Sequence, residues 1–174
     1  MNKKFKTAAA FAIASSLLIG TGAGVTSADA ATKPTSKVVT PYYNYKGYVK
    51  NNTKFLLDKD FVRALKYDNI KMNGYKLNLK GVNGYGTKDF LKYDTYYKKD
   101  KKNRITMIRP LVGNEKKVTL KQFLKAHKGN QLVKKGKGEK PNMYELYYKT
   151  NGAEYFASFE KGYLIYFEYS VQAK

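Results

Sequence analysis

The residues able to do chemistry are unevenly stocked in this chain. There is no Cys and a single His, set against 34 Lys+Arg and 13 Asp+Glu. Without Cys there is no thiol nucleophile, no thiolate ligand and no disulfide. One imidazole, His127, cannot build a zinc site with the usual partners. Glu145, Glu154 and Glu168 fall on three consecutive predicted strands and can face one another across a sheet. They equally face lysines such as Lys149. No nucleophile, acid/base pair or metal constellation is assembled, so neither catalysis nor a cofactor is expected. His127 reads as a partly buried residue, or a charge partner for the C-terminal end of its helix.

What remains is positive charge. The formal net charge is +21, a field that attracts polyanions. Lys98, Lys99, Lys101 and Lys102 with Arg104 form one cluster, Lys134, Lys135, Lys137 and Lys140 a second, and Lys116 and Lys117 a pair. Only Arg63, Arg104 and Arg109 are arginines, so the bidentate fork that reads base edges is scarce. The composition favours attraction to phosphates without sequence preference, driven by counterion release. The 17 tyrosines are the second signal. In "TPYYNYKGYVKNNTKF", residues 40–55, Tyr42, Tyr43, Tyr45 and Tyr48 stand beside Lys46 and Lys50. Tyr45, Tyr48, Tyr96, Tyr147 and Tyr166 are candidates by alternation for stacking on bases. In the opening segment at most one face is free, Tyr43 with Tyr45 or Tyr42 with Tyr48. The predicted nucleic-acid contacts are the three lysine groups, Tyr45 and Tyr48.

The elements that must position these residues follow from local pattern. "MNKKFK", an uncharged apolar run and "SADA" form a secretory signal peptide, with cleavage expected after Ala30. Removal of residues 1–30 takes away Lys3, Lys4, Lys6 and Asp29, leaving 31 basic against 12 acidic residues, or +19. Residues 31–39 are a polar leader, and 40–174 a single domain. A strand is predicted over Pro41–Val49, a turn at 51–53, and a helix capped by Asp58 with Phe61 and Leu65 on its apolar face. Ile70–Met72 and Tyr75–Leu79 read as a hairpin about Asn73-Gly74. "FLKYDTYY" reads as one strand, 98–103 as a charged turn, and "RITMIRPLV" as the return strand. Thr119 and Gln122 form a capping box for the helix "LKQFLKAH". "KKGKGEKPN" reads as a basic loop, followed by a meander over 143–149, 153–159 and 162–171. The fold class is α+β: a mainly antiparallel sheet with two short helices. No membrane-spanning segment is expected, and the residues specify no oligomeric state.

"TPYYNYKGYVKNNTKFLLDKDFVRALKYDNIKMNGYKL", residues 40–77, resembles the immunodominant staphylococcal antigen B family. The likeness continues through "VTLKQFLKAHKG" and the C-terminal strands. The resemblance implies export, partial retention at the cell surface, recognition by antibodies and binding of DNA or RNA without sequence preference. It transfers no motif residue by residue. Two other readings stand beside it: capture of a host protein through tyrosine-rich surface, and charge-driven adhesion to anionic cell-wall polymers.

Overall fold

The computed structural model describes residues 40–50, 52–80, 86–113 and 117–171. The predicted signal peptide and leader, and Lys116, lie outside them. The elements run β1 (Tyr43–Tyr45), a 3-10 turn (Thr53–Leu57), α1 (Lys59–Lys66), β2 (Ile70–Met72), β3 (Lys88–Lys92), β4 (Thr95–Lys99), β5 (Ile105–Pro110), α2 (Leu120–Ala126), β6 (Gln131–Lys137), β7 (Met143–Lys149), β8 (Ala153–Glu160) and β9 (Tyr163–Val171). Strands β3 to β9 form one antiparallel seven-stranded sheet in the order β3-β4-β5-β9-β8-β7-β6. The α+β class, the single domain and the C-terminal meander are as expected.

Both helices begin where the sequence places them. The Asp58 carboxylate accepts from the Asp60 and Phe61 amides at 2.7 and 3.1 Å, satisfying two of the amides that open α1. Thr119 and Gln122 close a reciprocal capping box on α2. Phe61, Leu65 and Phe123 are buried from the helices into one cluster with Tyr97, Tyr148, Tyr155, Phe159, Phe167 and Tyr169 of the sheet. Many tyrosines are therefore core residues. Burial pushes the Tyr97 and Tyr148 phenols up to about 12.

Four local readings are corrected. The opening strand is only three residues long and pairs in parallel with β2, Tyr43 beside Ile70 and Tyr45 beside Met72. It ends because Gly47 turns at φ +110°, clamped by Asn73, whose side chain accepts from the Gly47 amide at 2.7 Å and donates to its carbonyl at 3.2 Å. The turn expected near residue 53 continues into the 3-10 segment. Asn73 and Gly74 do adopt the two positive φ values of a type I′ turn, but after a bridge from Met72 to Tyr75 the return residues form no strand.

"FLKYDTYY" is not one strand but a hairpin, turning at Tyr93 and Asp94 with φ of 48° and 53°. Left-handed backbone disfavours both residues. Its cost is offset from elsewhere: the Asp94 carboxylate accepts from the Val49 and Lys50 amides at 2.6 and 3.1 Å, and its carbonyl accepts from the Leu111 amide.

His127 is neither half-exposed nor a charge partner. It is fully buried and stacks on Phe123 with ring centroids 3.9 Å apart. Nε2 lies 2.9 Å from the Leu56 carbonyl, which can only accept, so Nε2 carries the proton. Nδ1 then accepts from the Tyr155 hydroxyl at 2.9 Å, and that hydroxyl in turn accepts from Asn130 Nδ2. This chain of bonds suits neutral imidazole, and burial lowers its pKa to about 4 against the bond to Leu56.

Candidate nucleic-acid interface

The helices pack on one face of the sheet; the other carries a row of side chains in cross-strand register. From edge to edge it reads Leu91, Tyr96, Arg109, Glu168, Phe156, Tyr147 and Lys134. Strand alternation explains it: from Leu91 to Tyr147 each residue neighbours one that points into the core, and Lys134 joins the row through its register with Tyr147. Tyr147 and Phe156 rings lie 4.5 Å apart, and Phe156 and Tyr166 rings 5.6 Å apart. The Arg109 guanidinium stands over Tyr166 at 5.1 Å and Tyr96 at 5.8 Å. It is held there by Glu168, which accepts from Nη2 at 2.9 Å and Nε at 3.1 Å, and from the Tyr166 hydroxyl at 2.5 Å. The aromatic surface is therefore fixed by a charged clasp rather than left loose. Tyr96 donates to Asp89 at 2.7 Å, and this bond raises the phenol above its usual range.

A second row beside it reads Asp89, Lys98, Met107, Ser170, Glu154, Lys149 and Gln131. Between the rows a 330 Å³ hollow is lined by Lys134, Tyr147, Lys149, Glu154, Phe156 and Glu168 among others. Burial raises the Glu154 carboxyl, Lys149 lowers it, and Glu168 raises it further. The three glutamates thus share a face as the alternation allows. Glu168 is committed to Arg109, and Glu145 accepts from Tyr147 at 3.2 Å. The signs alternate, so the middle of the face is close to neutral and phosphates are better placed at its rims.

Each predicted lysine cluster is split between the two faces and neither is a continuous loop: Lys98 and Lys134 stand on the aromatic side near its rims, whereas Lys135 and Lys137 lie opposite Leu146 and Tyr144, which face the helix side. Lys98 and Lys99 lie on β4 and point to opposite faces: Lys98 lies opposite Met107 on the aromatic side, whereas the Lys99 ammonium is 4.5 Å over Phe90 on the other. Lys101 and Lys102 are exposed in the following turn. Arg104 is committed to that turn. It pairs with Asp100 at 2.6 Å and donates to the Lys80 carbonyl, and Arg104 holds the Asp100 carboxyl below its usual range. Lys117 is exposed and its ammonium donates to the Lys50 carbonyl.

The second "loop" is a strand. Lys134, Lys135 and Lys137 belong to β6 and are exposed, with Lys140 exposed in the turn beyond. Lys134 stands 5.6 Å from the Tyr147 ring. From the spacing of strands, β4 and β6 lie about 24 Å apart across the sheet, so the aromatic row is what joins the two lysine groups.

Tyr45 does not belong to any interface. It is buried against Phe55, with centroids 4.4 Å apart, and donates to the Tyr48 carbonyl. Tyr48 is exposed, and its ring edge meets Tyr93 at 5.3 Å. Arg109, Phe156 and Lys149 were absent from the predicted contacts. Their signal was the outward parity of Tyr147 and Lys149, masked because Tyr148 puts a second aromatic on the inward face.

Among the described residues no group of three His, Cys, Asp or Glu is placed to hold a metal, and no helix is long and apolar enough to cross a membrane. Residues 42–168 match the family described as Immunodominant staphylococcal antigen B. The chain is similar to the Immunodominant staphylococcal antigen B of Staphylococcus aureus strains USA300, NCTC 8325 and N315. Identity to each is 36% over 156 residues, covering 86% of this chain and 83% of each relative. No solved structure matches.

Proposed function

From membership of the immunodominant staphylococcal antigen B family, to which the chain belongs, we infer an exported, surface-associated antigen that binds single-stranded nucleic acid without catalysis. The observation that carries the binding reading is the row Tyr96–Arg109–Phe156–Tyr147 running between two lysine groups at opposite sides of one sheet face. Bases stack on aromatic rings whatever their identity, and rim lysines follow the phosphates. Lys98, Lys101 and Lys102 serve one rim, Lys134 and Lys149 the other. The non-catalytic reading is supported by how the acid/base groups are used: His127 is sealed in the core and Glu168 is held by Arg109.

The test is fluorescence anisotropy with a labelled mixed-sequence single strand. Affinity is expected to fall steeply between about 50 and about 500 mM salt, as counterion release requires. Tyr147→Ala removes one stacking surface, and its expected cost is about tenfold in Kd, within the range for one base on one ring. Salt-independent binding, or unchanged affinity in Tyr147→Ala together with Phe156→Ala, refutes the site. Tighter binding of a duplex than of the strand refutes the stacking mechanism.

A further inference from the structure

On the opposite side of the molecule, a 650 Å³ groove runs between α1 and α2. Its walls are two helical stripes. Lys59, Val62, Arg63 and Lys66 come from α1, and Gln122, Lys125, Ala126 and Gly129 from α2 and the turn after it. Both follow the i, i+3, i+4, i+7 spacing that puts residues on one helix face. Tyr67 and Asn130 close one end, where the Lys66 ammonium donates across to the Gly129 carbonyl at 3.2 Å. The floor is aliphatic: Leu57, Val62 and Ala126.

Four cations therefore line a groove with no carboxylate in its lining. Among the described residues none of the four is in an ion pair, the two pairs present being Arg104–Asp100 and Arg109–Glu168. That differs from the sheet face, where charges alternate and rings are the floor. The floor is aliphatic and, among the described residues, the only ring in the lining, Tyr67, stands at one end, so a run of bases finds no row of rings to stack on, and a bare phosphate chain would leave the floor uncovered. A segment with both carboxylates and apolar side chains satisfies rim and floor together.

We propose that the α1–α2 groove is a second binding site, independent of the sheet face, which receives an acidic peptide segment of a partner protein. Carboxylates of the segment meet Lys59, Arg63, Lys66 and Lys125. Its apolar side chains cover Leu57, Val62 and Ala126.

The probe is a short labelled peptide of alternating glutamates and leucines, measured by anisotropy against the full chain. The groove variant carries Lys59→Gln, Arg63→Gln, Lys66→Gln and Lys125→Gln. A control of equal net charge carries Lys101→Gln, Lys102→Gln, Lys140→Gln and Lys161→Gln, none of them on an edge strand. All these residues are exposed, and thermal melting checks that both variants fold. The groove variant is expected to lose at least about tenfold in peptide affinity, the sum of several modest exposed contacts, while the control changes by less than about twofold. A counterpart peptide with serine for leucine is expected to bind weakly, and Tyr147→Ala to bind the original peptide normally.

Equal loss in the groove variant and the control means that net charge alone attracts the peptide, and overturns the site. Equal binding of the serine peptide, or displacement of the leucine peptide by inorganic polyphosphate at matched charge, overturns the peptide assignment and makes the groove a general anion site. Loss of oligonucleotide binding in the groove variant would instead count against the sheet face as the nucleic-acid site.

Discussion

Acidification offers a direct reading of the buried imidazole. His127 is neutral in the fold, with its pKa lowered from 6.5 to about 4. Above pH 6.5 neither folded nor unfolded chain holds the proton, and the residue makes stability independent of pH. As pH falls from 6.5 toward 4 the unfolded chain takes up a proton that the native state refuses. Stability must then fall by up to about 1.4 kcal/mol per pH unit, reaching a total loss of roughly 3 kcal/mol before it levels off. The physical cause is local. A proton on Nδ1 would face the Tyr155 hydroxyl proton, breaking the chain from Asn130 through Tyr155 to Leu56.

The assay is urea denaturation across that pH range for the native sequence and for His127→Gln, which keeps a donor and an acceptor but does not titrate. Carboxylates such as Asp68 and Asp94 are present in both proteins, so the difference between the two curves isolates the imidazole. The native protein is expected to lose roughly 3 kcal/mol more than the variant between pH 6.5 and 4. Because the chain has one histidine, its ring protons also report by NMR, and they are expected to stay unshifted down to about pH 5. Parallel stability curves, or a native-state titration midpoint near 6.5, would refute the reasoning. The stakes extend to the helix groove, since Asn130 bonds to Tyr155 and also to the Val62 carbonyl in the groove wall.

Three further outcomes can be checked. Thr119→Ala dismantles the capping box of α2 and is expected to cost about 1 kcal/mol in urea denaturation. Asp94→Ala leaves the Val49 and Lys50 amides unpaired and an alanine at positive φ, so a loss of about 3 kcal/mol is expected by the same measurement. Arg104→Gln is expected to weaken oligonucleotide binding by less than about twofold, because its guanidinium is already held by Asp100 and Lys80; a loss near that of Tyr147→Ala would contradict this.

The parts of the fold legible in the sequence are those whose determinants are local. Asp58, Thr119 and Gln122 mark helix starts within a few residues of themselves, and the three-stranded meander announces itself by alternation and short turns. The Tyr93–Asp94 turn was not legible, because what stabilises it comes from Val49 and Lys50, far away in sequence. His127 was misread for the same reason: its partners are Leu56 and Tyr155. The strand β6 was hidden by its glycines and lysines. It pairs with β7 and its side chains are almost all exposed, so it needs no apolar pattern of its own. The interface was half legible. Tyr96, Tyr147 and Tyr166 were singled out by parity, yet which face the helices would cover is a tertiary fact. Only that fact separates them from Tyr97, Tyr148 and Tyr155.

The two outermost strands give the charge a different meaning. Among the described residues, strands β3 and β6 each have a neighbour on one side only, so each leaves backbone donors and acceptors with no strand there to complete them. Such borders recruit strands from other molecules and seed aggregation unless something repels the newcomer. Here Lys88 and Lys92 stand on one border and Lys134, Lys135 and Lys137 on the other. A second copy approaching either border meets its own lysines. Part of the positive charge therefore opposes edge-to-edge pairing, on a border where Leu132 and Val133 are exposed. Neutralising those lysines would make molecules join sheet to sheet, and the resulting loss of soluble protein would be easy to mistake for loss of a ligand.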